Sequence, residues 1–289
     1  MVELLVVLLI GFLLLSIFIP FIRKTRETDH RVRCQSNLRE LVTGLSNYAN
    51  ANGGAFPRVV QDSANAPGQY FAYTGPYAAN PFAGDGQVSA NDVTASLWLL
   101  VRQGYATPEM FVCPSSGDYA DPMTGRSGQV AKPEERSNFR GARNLSYSYA
   151  SPFSAVAGYR FDANLLPKDF VILADKNPGK SGGSDVTGPA YNASLIDLAR
   201  ANSHNHQRAG QSVLYADMHV EFRQSPYCGA GYYNSGSAGD NIYTVLSLTP
   251  LADQSTPDLT AKGFLGTELG PAWKADSYLV PTADQDRGR

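Results

Sequence analysis

Charge is scarce in this sequence. Asp, Glu, Lys and Arg together make up 17% of it, against about 25% in an average soluble domain. Gly, Ser, Asn, Tyr and Pro fill the difference, a mix that suits a loop-rich extracytoplasmic surface better than a cytosolic enzyme. The formal net charge of −2 leaves no basic surplus, so no nucleic-acid partner is expected. Cysteine is rarer still. Cys34, Cys113 and Cys228 form an odd set that allows at most one disulfide and leaves a thiol over. No CxxC pair is present, which argues against a thioredoxin-type or zinc-ribbon site. No G-x-S-x-G motif surrounds Ser115-Ser116, so these serines are not a nucleophile elbow. No short span holds the dense acidic pattern of an EF-hand loop. No Lys or Arg precedes the first apolar run and no A-x-A follows it, which separates that run from a cleaved signal peptide.

What is present is concentrated at the start. Positions 1–22 read MVELLVVLLIGFLLLSIFIPFI, with Glu3 as the only charge. About 20 such residues rise roughly 30 Å as a helix, the thickness of a bilayer's hydrocarbon layer. Beyond them Leu38, Leu41, Val42, Leu45, Tyr48 and Ala49 recur at steps of three and four, one face of an amphipathic helix. Gly53-Gly54 ends this pattern and Pro57 prevents its resumption. One helix of about 50 residues is predicted, apolar all round in its first half and on one face in its second. Pro20 lies inside it and predicts a kink or local melting near 16–20. Glu3, a carboxylate in an apolar layer, has two readings. It snorkels to the interface, or it pairs with a positive group on a neighbouring subunit and sets axial register.

The remainder reads as α+β. Loop regions over 54–92 and 224–240, a short buried helix over 95–101, and strands over 110–113, 145–150, 170–174 and 212–222 are predicted. The last is a hairpin turning at Asp217-Met218. LSYSYA (145–150) alternates as a half-buried strand should. The sheet is expected to be antiparallel and to pack on the amphipathic half of the first helix. The resulting division is 1–22 membrane or filament-core helix, 23–53 its amphipathic continuation, 54–270 a globular α+β domain with long loops, and 271–289 a mobile tail. His204, His206, His219, Asp175 and Asp217 carry zinc-ligand chemistry, although histidines in a polar loop are ordinarily exposed. Cys113 and Cys34 either pair, tying a strand to the helix, or stay as two buried thiols.

The N-terminal segment resembles the mature N-terminus of type IV pilins and type II secretion pseudopilins, with the E-L-L-V-V run and a proline seventeen residues after the glutamate at Glu3 and Pro20. CQSNLRELVTGLSNYANANGGAFP, FVCPSS, LSYSYASPF, VILADKNPG, NHQRAGQSVLYADMHVEF and DNIYT are similar to a large-domain pseudopilin-like branch with prepilin-type cleavage and methylation signals. The branch's Asp-Gly turn is Asp217-Met218 here, and the chain as written opens at what would be the family's third mature residue. The resemblance implies a pilin-like fold with no enzymatic activity. It further implies a subunit that assembles with copies of itself, Glu3 pairing with a neighbour's N-terminal amine and Pro20 marking where the helix softens. The inner membrane and the type II secretion or type IV pilus machinery are the implied partners. The basic cluster over 23–33 would by itself place the domain in the cytoplasm; the resemblance places it outside, on the membrane or in a filament. It also makes calcium the expected ion, with Asp175, Asn177, Asp217 and Asp240 as candidate oxygen ligands or else as turn and cap residues. The alternatives from other classes are a tethered binding protein that never polymerises and a tethered metal hydrolase.

Overall fold

The structure, a computed structural model, describes residues 2–62, 70–82, 87–154, 158–179, 193–230, 239–244 and 277–281, without the side chains of 17, 18, 20, 21 and 23. Helix α1 spans Val2–Ala51, the single rod that the heptad-like spacing predicts. Its two halves differ in what covers them. Leu5 is 66% and Phe12 74% exposed, whereas Cys34, Leu38, Leu41 and Leu45 are at 0%. Among the described residues no helix is long and apolar enough to cross a membrane. The helix runs unbroken through 16–20, so of the kink or local melting expected at Pro20 the melting does not occur. The one donor that proline lacks is a local loss, and the turns on either side keep their bonds. The Pro20 side chain is outside the described residues. At the other end Gly53 and Gly54 adopt φ of 66° and 98°. The Gly54 amide donates to Ala49 O at 2.8 Å, the six-to-one bond of a Schellman cap.

The buried half of α1 lies on a sheet in the order β4-β3-β2-β1-β7, contacting β3 and β4. The strands are β1 Tyr147–Ala150, β2 Val171–Asp175, β3 Gln211–Tyr215, β4 Val220–Arg223 and β7 Leu279–Val280, and all pair antiparallel. A separate two-stranded ladder joins β5 Tyr227–Gly229 to β6 Asp240–Asn241. Helix α2, Val93–Arg102, is buried from Val93 to Val101, as an apolar run without a polar face must be. Asp92 caps it, accepting from Ala95 N at 2.7 Å and from the Thr74 amide and hydroxyl. A third short helix, α3, spans Leu195–Ala201.

Four expectations are corrected. Residues 110–113 do not form a strand; a 3₁₀ turn covers Pro108–Phe111, started by a proline whose fixed φ suits a helical first turn. LSYSYA is not half buried, because Ser146 and Ser148 are as covered as Tyr147 and Tyr149. The Ser148 hydroxyl instead donates to Pro281 O at 2.7 Å. Residues 277–281, placed by composition in a mobile tail, supply the sheet's edge strand, with Tyr278, Leu279 and Val280 at 0% exposure. The stretch 224–240, read as loop, contains β5 and the start of β6. The hairpin does turn at Asp217-Met218, by a three-residue loop. Met218 N donates to Tyr215 O, Tyr215 N donates to His219 O, and Met218 takes the left-handed position at φ 72°. One left-handed residue suffices in such a loop, where a two-residue type I′ turn needs two.

Arg136 is a fully buried cation. It makes a bidentate pair with Asp121 at 2.9 Å on both arms, with both side chains at 0% exposure. It also donates to the carbonyls of Pro76, Thr124 and Asn138 and lies 5.0 Å from the Trp98 ring centroid. Three loops are thereby tied to α2. Arg136→Ala strands the Asp121 charge and is expected to cost about 3–5 kcal/mol in urea unfolding, with part recovered in an Arg136→Met/Asp121→Leu double variant. A single variant with wild-type stability would show that the pair does not hold these loops.

Candidate metal centre

Glu27 and Cys34 are seven residues apart on α1 and so share a face. Cys34 is the first member of the buried seam, and Glu27 sits where the seam meets solvent. Three other segments converge there. Cys113 follows the 3₁₀ turn Pro108–Phe111, held against α1 by Asn37 Nδ2 donating to Val112 O at 2.8 Å. Its own carbonyl is capped by the Ser116 amide and hydroxyl. Asp175 is the last residue of β2. His206 lies in the turn Asn205–Arg208, where three successive non-glycine residues, His206, Gln207 and Arg208, have φ of 54°, 55° and 62°. Left-handed backbone costs an L-residue roughly 1–2 kcal/mol, so three in a row are retained only where the surroundings fix them.

The turn aims the His206 ring inward. Nε2 lies 3.3 Å from Asp175 Oδ2 and 3.4 Å from Cys113 Sγ, and Cys34 Sγ lies 3.3 Å from Asp175 Oδ1. One donor atom from each of Cys34, Cys113, Asp175 and His206 falls within 4.8 Å of the other three, and all four residues are buried. This cluster could hold a metal ion. A second ring of contacts orients it. Glu27 Oε1 is 2.7 Å from His206 Nδ1, and Ser115 links the two by donating to Glu27 Oε2 and accepting from His206 N. Asn205 Nδ2 donates to Asp175 Oδ1 at 2.9 Å and Ser212 N to Oδ2 at 2.6 Å. The Tyr147 hydroxyl donates to Cys34 Sγ at 3.3 Å. Phe222 meets the His206 ring edge-on and carries the Arg31 guanidinium, which lies 3.6 Å from Glu27.

Burial governs the electrostatics. It pushes the Cys34 thiol well up, aided by Cys113 and the Asp175 charge. The Cys113 thiol is eased by its contact with Cys34 yet still raised by burial and Asp175. Burial also opposes a charged His206, but Asp175 and the hydrogen bonds around it prevail and lift the imidazole to about 10. These shifts favour protonated Cys34 and Cys113 thiols and a cationic His206 ring, which lies between Asp175 and Glu27.

The sequence candidates separate cleanly. Cys34 and Cys113 meet, as free thiols rather than a disulfide. Asp175 and His206 join them, although His206 reads from sequence as an exposed loop histidine. His204 is exposed. His219 and Asp217 pair with each other at the hairpin tip, where the ring also stacks on Tyr215. Asn177 is a fastener, its Nδ2 donating to Tyr243 O and Leu279 O. Asp240 accepts from the Ser277 amide. Of the four calcium candidates only Asp175 reaches the cluster. Glu3 is exposed on the first turn of α1. Glu27 was invisible as a site residue; its one sequence signal is the seven-residue step to Cys34.

No family model, curated protein or solved structure matches the chain.

All three cysteines are buried thiols. In the folded protein a thiol reagent should react with them far more slowly than after denaturation, which should release three reactive groups per chain. A single reactive thiol after denaturation without reductant would mean that two of them are joined.

Proposed function

We propose that this chain is a pilin-like structural subunit that assembles with copies of itself through the exposed half of α1, in a type IV pilus-like filament or a secretion pseudopilus, with the globular domain on the outside. The observation that carries this reading is the division of one continuous helix. Its second half is the keel of the core. Its first turns carry Leu4, Leu5, Val7, Leu8, Leu9, Phe12 and Leu15 at 61–74% exposure, outside the domain. An apolar surface of this kind exceeds what a monomer ordinarily leaves in water and marks a lipid or protein partner. Held first in the inner membrane and then against neighbouring helices, it stays covered throughout. Burying 1,000 Å² of it would yield about 25 kcal/mol gross, of which association entropy takes back a large part.

Glu3 supplies the register. A carboxylate in an apolar helix bundle favours the one axial offset that brings it a positive partner. The chain acts as a structural subunit and not as an enzyme, a reading supported by a cluster in which all four donor groups are buried with their remaining bonds filled from the protein. Calcium is disfavoured as its ion, since calcium takes six to eight oxygens and half of this donor set is sulfur.

Glu3→Ala tests the assembly. Membrane insertion and the melting of the globular domain should be unchanged. Recovered filament should fall by roughly tenfold or more, since one desolvated charge pair carries at least about 1.4 kcal/mol. Filaments in wild-type yield from the variant would remove Glu3 from the mechanism, and a wild-type chain that stays monomeric after leaving detergent would remove the assembly itself.

A further inference from the structure

We propose that Cys34, Cys113, Asp175 and His206 bind one zinc ion in a closed tetrahedral structural site that clasps α1 to the globular domain. The four donor groups are already gathered, with one atom of each within 4.8 Å of the others. A tetrahedron with metal–ligand bonds of about 2.0–2.3 Å has edges of roughly 3.3–3.8 Å. Three contacts have this length, His206 Nε2 to Asp175 Oδ2 at 3.3 Å, His206 Nε2 to Cys113 Sγ at 3.4 Å and Cys34 Sγ to Asp175 Oδ1 at 3.3 Å, and a small shift of the carboxylate brings one of its two oxygens to a shared ion. Two sulfurs, one imidazole nitrogen and one carboxylate oxygen form a donor set that selects zinc over magnesium or calcium.

The surroundings match what a metal-bound histidine requires. Such a ring gives its second nitrogen to a carboxylate, which fixes tautomer and orientation. Glu27 holds His206 Nδ1 in that way at 2.7 Å. The carboxylate ligand is likewise fixed, by Asn205 and the Ser212 amide, and Cys34 Sγ receives the Tyr147 hydroxyl. The left-handed run at His206, Gln207 and Arg208 then has a purpose, because it carries Nε2 to the ion. Loading releases three protons to solvent, one from each thiol and one from His206 Nε2, while Nδ1 keeps its proton for Glu27. Three negative ligands and the divalent ion leave one net negative charge, next to Glu27 and Arg31. The four ligands come from α1, the segment after the 3₁₀ turn, β2 and the left-handed turn, so one ion fixes four pieces of chain that are far apart in sequence.

The test uses the full-length chain in detergent, purified without added metal or chelator. Elemental analysis should find one zinc per chain. Removing it with a strong chelator should lower the melting temperature, and zinc but not calcium should restore it. Cobalt added to the stripped protein should give the intense visible bands of a tetrahedral site and a thiolate-to-cobalt charge-transfer band. Glu27→Gln, which meets His206 at the non-ligating Nδ1, should still bind zinc, with affinity reduced about 10- to 100-fold in chelator competition. Cys34→Ser and His206→Asn should not retain zinc. A metal-free wild type overturns the proposal, whether its intact mass is two hydrogens short, as a Cys34–Cys113 disulfide would be, or shows three thiols. Unchanged zinc affinity in Glu27→Gln overturns the positioning role of that residue.

Discussion

The structure depends on how a helix leaves its own domain. Helix α1 is part of the core over one half and part of the exterior over the other, and at the crossing its environment changes within little more than three turns. Cys34 is fully covered, Glu27 is at the rim, and Ile22 is already 54% exposed. Apolar packing cannot define that crossing sharply, because leucine seams tolerate sliding and repacking. Directional contacts can. Glu27, His206, Asp175 and the two cysteines supply them at one point, with Ser115 and Arg31 closing the outer side. Groups this well buried are costly unless satisfied, and here Cys34, Cys113, Asp175 and His206 each have a named partner, whereas Arg31 Nε makes no hydrogen bond and only a 3.6 Å ion-pair contact with Glu27.

Below that point the core is ordinary in its physics. Aromatic rings meet edge to face through Trp98, Phe139 and Phe111, and through Tyr149, Phe161 and Phe170. The Gly44 backbone lets α1 approach the Tyr105 carbonyl, which an added Cβ would meet at 2.8 Å. Polar residues inside this core act as fasteners. Asn177 laces β7 to the segment after β6, and Asp92 joins α2 to the loop at Thr74. A domain built this way presents a rigid base for the exposed half of α1, which is what a subunit assembled through that half requires.

Much of this was legible in the sequence. The three-and-four spacing from Leu38 to Ala49 marked the helix and its buried face, and Gly53-Gly54 marked its end, because both are local signals. The hairpin at Asp217-Met218 was legible for the same reason. The errors have a common origin in long-range covering. Ser148 looks solvent-facing because alternation cannot reveal that residues 277–281 return to that strand, and Ser146 because it cannot reveal that Ser116 and Asp118 meet its hydroxyl. Residues 277–281 look like a tail because a two-residue edge strand has no periodicity to detect. The site divided along the same line. Sequence reasoning found the Cys34–Cys113 pair and, separately, a group containing Asp175 and His206. Nothing local said that the two belong together, or that Glu27 stands behind the histidine. That knowledge lies in the turn at His206, whose left-handed backbone no propensity scale would assign to His, Gln and Arg in succession.

Hydrogen exchange of the intact chain in detergent, followed by mass spectrometry before and after the metal is stripped, tests the fixed point at the helix exit most directly. Amides of α1 between Glu27 and Leu41 should lose protection on stripping, while those of β2 and β3 keep theirs. Identical exchange along α1 in the two states would contradict the clasp and leave the helix held by its apolar seam alone.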